Sequence, residues 1–447
     1  MSTDMHLSPF LKIFSLPEKK EARLLFSTKT CALTLLHAET LAAVQAGKAA
    51  RETMDTLVRL GMVVIDPAKE QREMRGYLNE VNRLNPNLRV SVILGLACNF
   101  ACVYCYEGSM KVAAAMDDAT AEQLSTYLLA RFTPEKKRLI LDFYGGEPLL
   151  YVSRIKSLAT RLKPLIEARG GTFEFTLVTN GSLLTAEMAK ELVALGLVSA
   201  KITVDGPEEN HNRFRPGKDG QGSWSTILAN LKACCGIFPI FLSGNYTCDN
   251  FHRFPELLDS LGGMGFGPEA FASVQFYPVM QVNDQFANPE FSGGCCSMNE
   301  PWLVEASLFL REEIMRRGYP FPKLQPAPCM VDLDDAFTVN HDGAIYKCVT
   351  LIGHQGYEAG DIWHGMGNDW GEKHCLGHWQ KEAHCQKCEY LPLCFGGCRY
   401  MAFQREGDMA GVDCQKEFLD ATLEKMLRQD LKYRYGAETL PTPDPAA

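Results

Sequence analysis

Apolar positions follow two rhythms along the chain. From Lys12 to about Glu80 they are short and mixed. Extended stretches at Leu24–Ser27 and Ala32–Leu36 precede helical runs at Ala38–Ala46 and Glu52–Leu60. Gly61-Met62-Val63-Val64-Ile65-Asp66-Pro67 reads as a helix stop followed by a β wing. These elements predict a small winged-helix-like module, and a helical linker over 68–83 ends at Asn85-Pro86-Asn87. After Leu88 strands and helices alternate. Strands are predicted at Arg89–Leu96, Arg138–Tyr144, Phe173–Thr179, Ala200–Val204, Ile240–Tyr246 and Ser273–Val279. Helices fall between them at Asp118–Phe132, Val152–Arg169, Ala186–Leu195, Ser225–Cys235 and Phe254–Leu261, and a last one at Glu300–Arg317 closes the sixth unit. Such alternation implies right-handed βαβ crossovers and a parallel sheet. Six units predict a partial (β/α)6 barrel with its site at the C-terminal ends of the strands.

Prolines at 320, 322, 326 and 328 mark a linker into a Cys-rich segment, 329–414. An amphipathic helix, Gln415–Tyr435, and a Pro-rich frayed tail follow. The expected division is 1–85 for the first module, 86–325 for the α/β barrel and 326–447 for the Cys-rich domain.

Composition narrows the function. The 447 residues carry 45 basic and 54 acidic side chains, a net charge of -9, which argues against a nucleic-acid binder. The longest apolar run, Val90 to Cys98, is far short of the roughly 20 residues that span a bilayer. Asp4, His6 and Pro9 break any secretory pattern at the start, so the expected location is cytoplasmic, without membrane contact. Of 17 cysteines, eight lie between Cys329 and Cys414. In a reducing compartment that density points to metal or Fe–S ligation rather than to disulfides.

Cys98, Cys102 and Cys105 form a C-x3-C-x2-C run after the first barrel strand. Three thiolates on one loop can hold three irons of a [4Fe–4S] cubane and leave the fourth open. Taken alone, they would also suit a partial zinc site. The next strand ends in Tyr144-Gly145-Gly146-Glu147-Pro148, where backbone carbonyls and a carboxylate at the barrel mouth suit an ammonium group.

Together these motifs resemble the radical S-adenosylmethionine superfamily. The resemblance implies that the amino and carboxylate groups of S-adenosylmethionine chelate the open iron, and that one-electron reduction releases a 5′-deoxyadenosyl radical. It places Tyr104 beside the adenine, and Gly145, Gly146 and Glu147 around the methionine amino group. Asn180, in Thr179-Asn180-Gly181, and Thr203, in Thr203-Val204-Asp205-Gly206-Pro207, match further cofactor positions, with Thr203 where Ser is usual. His211-Asn212-Arg213-Phe214-Arg215 resembles an element whose Arg pairs with the cofactor carboxylate, which gives that role to Arg215; Asn212 stands where Asp is usual.

Further along, Cys385-x2-Cys388-x5-Cys394-x3-Cys398, preceded by Cys329 and Cys348 and followed by Cys414, is similar to the SPASM domain of radical enzymes. That pattern implies two auxiliary [4Fe–4S] clusters, three in all. Cys385, Cys388, Cys394 and Cys414 would hold the distal one, and Cys329, Cys348 and Cys398 the one nearer the barrel. Cys31, Cys234, Cys235, Cys248, Cys295 and Cys296 are expected to be small buried hydrophobes, and His374, His378 and His384 polar loop residues.

SPASM-type enzymes mostly modify ribosomally made peptides, and the first module resembles the leader-peptide recognition domain of peptide maturases. The expectation is therefore a maturase, similar to geopeptide-type enzymes, that abstracts a hydrogen atom from a precursor peptide and forms a Cys thioether, with ferredoxin or flavodoxin as electron donor. The rival reading is an anaerobic sulfatase-maturing enzyme. That family has an Asp base directly after the second SPASM cysteine, where this chain has Val349. A non-catalytic Fe–S electron carrier is the alternative of another class, and the Gly-Gly-Glu-Pro turn tells against it, since a carrier needs no ammonium site.

Overall fold

The computed structural model describes residues 5–16, 19–110 and 113–436; the expected Pro-rich tail lies outside them, apart from Gly436. Six parallel strands, Asn87–Ile93, Arg138–Tyr144, Thr172–Thr179, Leu197–Thr203, Ile240–Tyr246 and Ser273–Pro278, lie side by side in chain order, each joined to the next by helical segments. This is the predicted α/β architecture with a central parallel sheet. Apolar runs in the strands explain it: Leu139, Leu141, Phe143, Phe173, Phe175 and Leu177 are all buried between the sheet and its helices. Each such side chain contributes about 1.5–3 kcal/mol of transfer free energy. Helix Asp118–Arg131 starts where Asp117 accepts from the Thr120 N–H, and helix Ala186–Leu195 stops at Gly196 in the left-handed region (φ 116°).

The sheet does not end at its first strand. Ala336–Val339 pairs in parallel with Asn87–Ile93, and Ala344–Tyr346, Gly360–Asp361 and Gly365–Met366 extend the sheet antiparallel beyond it. The Cys-rich segment is thus hydrogen-bonded to the barrel, a continuity that the Pro-rich linker did not lead one to expect. Helix Lys416–Arg434 packs on helix Pro301–Arg316, where Arg311 pairs with Asp430 at 2.8 Å.

The first module contains a three-stranded antiparallel sheet, Leu11–Ser15, Ala22–Ser27 and Leu33–His37, covered by helices Ala38–Gln45 and Arg51–Arg59. His6–Leu7 pairs with Val63–Val64. Phe10 packs with Trp379, Cys385, Leu391 and Phe395, and Thr28 Oγ1 donates to the Glu389 carbonyl at 2.5 Å, so the module leans on the Cys-rich segment. Among the described residues no helix is long and apolar enough to cross a membrane.

Candidate active site

The loop carrying Cys98, Cys102 and Cys105 is pinned from outside. Ala101 N–H donates to Pro216 O at 2.9 Å, Val103 N–H to Phe214 O at 3.0 Å and Lys218 N–H to Asn99 O at 2.9 Å. The anchoring chain is the end of helix Glu208–Phe214, whose C-terminal flanking residue is Arg215. A second anchor comes from the turn after the third strand: Asn180 Nδ2 donates to Asn99 Oδ1 at 2.8 Å, and Asn99 Nδ2 to Ser182 Oγ at 2.9 Å. Asn180 therefore braces the cysteine loop.

Tyr104 is the centre of a buried polar network. Its hydroxyl donates to Asp205 and accepts from Arg215 Nη1 at 2.7 Å and Asn245 Nδ2 at 2.9 Å. Asp205 Oδ1 also accepts from the Asn245 backbone N–H at 2.7 Å. Burial pushes the Asp205 carboxyl up, and Arg215 pulls it back. Arg215 is 8% exposed, so it is no solvated loop charge, and its charge also acts on Cys102. Its Nε–H is buried without a partner. A donor left free beside the cysteine loop fits a ligand carboxylate, since such an unpaired group otherwise costs about 1–3 kcal/mol. Behind it His211 is held neutral, pushed down to about 3 by burial and then by Arg215, with Nδ1 accepting from Asp205 N–H at 3.1 Å.

In the Gly145-Gly146-Glu147 turn, Gly145 has φ 118°, and a Cβ on Gly146 would collide with the carbonyls of Leu96 and Ala97. Only glycines allow this backbone to lie against the cysteine loop. The Glu147 carboxylate differs from expectation. It is fully buried and faces the protein rather than the mouth, accepting from Thr179 Oγ1 at 2.7 Å, Asn180 N–H at 2.8 Å and Leu149 N–H at 3.0 Å. The carbonyls of the turn are what remains for an ammonium group. Thr203 Oγ1 lies 3.1 Å from Ser243 Oγ, one strand across.

The C-terminal cysteines fall into two sets. Cys385, Cys388, Cys394 and Cys414 line one cavity of about 190 Å³ together with Lys387 and Lys416. Burial pushes Cys385 up to about 12, and its three partners add to the rise. Cys329, Cys348 and Cys398 form the second set: after burial, Cys329 acts on Cys348, and Cys348 and Cys329 each interact electrostatically with Cys398. Buried Lys347 fixes the chain before Cys348 by donating to Leu333 O at 2.5 Å and Ala336 O at 2.7 Å. Among the described residues no three His, Cys, Asp or Glu side chains form a site for a single metal ion. Thiols ranged around a cavity are a donor set for a polynuclear Fe–S body, and the sulfur chemistry of both sets fits one.

Tyr144 connects the loop of Cys98, Cys102 and Cys105 with the second set. After its burial, its hydroxyl feels Glu107, Cys105 and Cys348, and its ring stacks on Tyr106 with centroids 6.5 Å apart. The Tyr144 hydroxyl is thus within electrostatic reach of both cysteine groups, with Tyr106 and buried Glu107 beside it.

Asp205, Asn245 and Glu107 were not singled out from the sequence. The signal was the place of Asp205 and Asn245 at strand ends, where polar residues interrupt apolar runs. Of the other cysteines, Cys234 and Cys295 are buried as expected, whereas Cys248 and Cys296 are exposed and Cys31 and Cys235 are in between. His374 and His378 are fully buried rather than loop-exposed, and His384 is exposed.

Residues 92–259 match the Radical SAM superfamily. Those residues are a Radical SAM domain, and the chain is an enzyme. It is 23% identical over 353 residues to a serine-type anaerobic sulfatase-maturating enzyme of Bacteroides thetaiotaomicron, covering 70% of this chain and 83% of that protein. Its fold matches that of anSMEcpe, solved with bound AdoMet and a Kp18Cys peptide (TM-score 0.60, 19% identity, 76% of this chain and 98% of that one). It also matches Streptococcus suis SuiB bound to its precursor peptide SuiA (TM-score 0.54, 13% identity, 92% of this chain and 99% of that one).

Proposed function

We propose that this enzyme matures a ribosomally made, Cys-rich precursor peptide by hydrogen-atom abstraction and thioether formation. In this reading Cys98, Cys102 and Cys105 hold the radical-generating cluster, and the two C-terminal cysteine sets hold the auxiliary clusters. With S-adenosylmethionine bound, the first site supplies a carbon-centred radical that removes a hydrogen atom from a side chain or Cα. The chain's own residues bind and orient: Arg215 offers its free Nε–H to the cofactor carboxylate, the carbonyls of Gly145 and Gly146 face its ammonium group, and Tyr104 flanks its adenine. Thr203, with Ser243, supplies hydroxyls for the ribose.

The observation that supports the reading is that the Tyr144 hydroxyl is within electrostatic reach of both Cys105 and Cys348. A peptide lying there has one side chain near the radical site and a second near a set of only three thiols, Cys329, Cys348 and Cys398. An open coordination position at that set can receive the substrate's Cys sulfur and lower its pKa, which places sulfur beside the carbon to be bonded. Cys375, the one other candidate fourth ligand, sits at φ 48° in a loop that also holds His374 and Gly377.

The first module supports a peptide substrate, because strand Leu33–His37 is an edge of its sheet to which a leader can add as a further strand. A small one-electron donor such as ferredoxin or flavodoxin would work with the enzyme in the cytoplasm. The second reading, maturation of a sulfatase, draws on the likeness to sulfatase-maturating enzymes; Val349 in the Asp position tells against it.

Co-expression with the short Cys-rich open reading frame nearest its gene, followed by mass spectrometry, tests the assignment. Loss of two hydrogen atoms per modified Cys, with that Cys resistant to alkylation, is expected. Conversion of a Cys or Ser to formylglycine would replace this reading with the second.

A further inference from the structure

The set formed by Cys329, Cys348 and Cys398 shares its surroundings with a permanent positive charge. Arg399 follows Cys398 at the start of helix Arg399–Glu406 and is 2% exposed. Its Nη1 donates to the His374 carbonyl, and its Nη2 to Asp332 Oδ1 at 2.5 Å. Asp332 is tied back to the cysteines, because its N–H donates to the Cys329 carbonyl at 3.0 Å. The Gly377 N–H also donates to Asp332 Oδ1, at 3.4 Å, so the loop after Cys375 closes over the pair. Arg399 Nε and Asp332 Oδ2 are both buried without a hydrogen-bond partner.

Arg399 directly follows Cys398 in the chain, and its partner Asp332 is bonded through its N–H to the Cys329 carbonyl, so the ion pair is tied to two of the three cysteines. An ion pair this deeply buried is a poor device for stability, since apolar residues of similar volume often serve as well or better. Its cost makes sense where the charge is needed in the interior.

We propose that Arg399, held in place by Asp332 and His374, is a positioning residue of the proximal cysteine site that stabilises the added negative charge of its one-electron-reduced state. The inference rests on the reading that Cys329, Cys348 and Cys398 hold an Fe–S cluster. A fixed cation beside the thiolates favours the more negative oxidation state, and so raises the reduction potential of the group they hold. The Arg399 Nε–H, which has no protein partner, is a donor available to the group that the thiols would hold, and hydrogen bonds to such a group tune its potential. Asp332 orients the guanidinium and partly offsets its charge.

The test is a redox titration followed by electron paramagnetic resonance on the anaerobically reconstituted full-length protein, with Cys98, Cys102 and Cys105 replaced by Ala so that only the C-terminal sites are read. The proximal signal is the one abolished by Cys329→Ala. The double variant Arg399→Gln, Asp332→Asn should shift its oxidised-to-reduced ratio at fixed potential at least tenfold toward oxidised, about 59 mV for a one-electron couple. Arg399→Lys, which keeps the charge, should shift it less than threefold. A double variant that loads full iron and titrates with the parent overturns the proposal, as does a Lys variant that shifts as far as the double. If the double variant takes up no iron, Asp332→Asn alone decides: it removes only the counter-charge and must move the ratio toward reduced, and an unchanged ratio overturns the proposal. If Cys329→Ala removes neither iron nor signal, the cluster reading itself has failed, and that outcome is separate from all the others.

Discussion

Arg215 donates through Nη1 to the hydroxyl of Tyr104 over 2.7 Å, and the same hydroxyl donates to Asp205. The phenol thereby stands between a cation and a carboxylate that are themselves 3.9 Å apart. Tyr104→Phe removes the phenol oxygen and leaves the Arg215 and Asn245 donors unpaired. The expected result is a loss of about 1–3 kcal/mol in cofactor binding, which is a rise of about 5- to 150-fold in the KM for S-adenosylmethionine. Arg215→Lys should do more damage, because the free Nε–H has no counterpart in lysine. Steady-state release of 5′-deoxyadenosine measures both, and an unchanged KM in Arg215→Lys would remove the carboxylate from its role.

Replacing Cys98, Cys102 and Cys105 by Ala should abolish S-adenosylmethionine cleavage and remove about four of roughly 12 irons per chain, as expected for one of three cubane clusters. Iron analysis and 5′-deoxyadenosine assay check this on one preparation. Cleavage at the parent rate would place the radical chemistry elsewhere.

If the proximal set keeps an open position for substrate sulfur, as proposed, Cys375→Ala should keep about 12 irons and keep crosslinking. Loss of about four irons in that variant would make Cys375 the fourth ligand and close the site to substrate.

A peptide that adds to strand Leu33–His37 needs the strand's outward N–H groups. Proline scanning across these five residues should find positions whose N–H points away from Ala22–Ser27, where the sheet survives and affinity for the precursor falls at least tenfold. Uncoupled cofactor cleavage should stay at the parent level. Fluorescence anisotropy with a labelled precursor reads the affinity, and a scan in which no folded variant binds more weakly would move the leader site to another surface. Point substitutions are preferred to deletion, because Phe10 and Thr28 belong to the packing around Cys385 and Glu389.

His211 makes the fold acid-sensitive. Its folded pKa is pushed down to about 3 by burial and Arg215, while the unfolded chain titrates near 6.5. A depressed value means that the stability is intact above 6.5 and is lost as pH falls toward 3. At pH 5.5 this histidine alone costs about 1.4 kcal/mol relative to pH 8. Urea unfolding of the parent and of His211→Gln at the two pH values should show a smaller acid loss in the variant, and equal losses would mean that His211 is not held neutral.

The α/β series was legible because its signal is redundant. Strands Arg138–Tyr144 and Ile240–Tyr246 and helix Ala186–Leu195 are bounded as the apolar runs and caps predict. Helix Glu208–Phe214 was hidden, since seven residues dominated by Glu, Asn, His and Arg carry no apolar period, and its burial is polar: Asn210 and His211 face inward. Strand Leu11–Ser15 was missed for a related reason: its side chains are mostly half-buried, so no strong alternation marks them. At the site, motif spacing reveals which cysteines belong together, but the inward turn of Glu147 depends on hydroxyl and amide donors 32 and 33 residues away. No local pattern encodes that.

Strand Ala336–Val339 completes one edge of a sheet whose neighbouring strand, Asn87–Ile93, is synthesised far earlier. At about 5–20 residues per second, a ribosome leaves that edge uncovered for some tens of seconds while the rest of the barrel emerges. During this interval the nascent chain presents an unpaired β-edge, the kind that recruits other chains. Folding and solubility are therefore tied to late translation. A truncation before Ala336 would lose six of the seven cysteines of the two C-terminal sets, all but Cys329, and also the strand that covers this edge of the sheet.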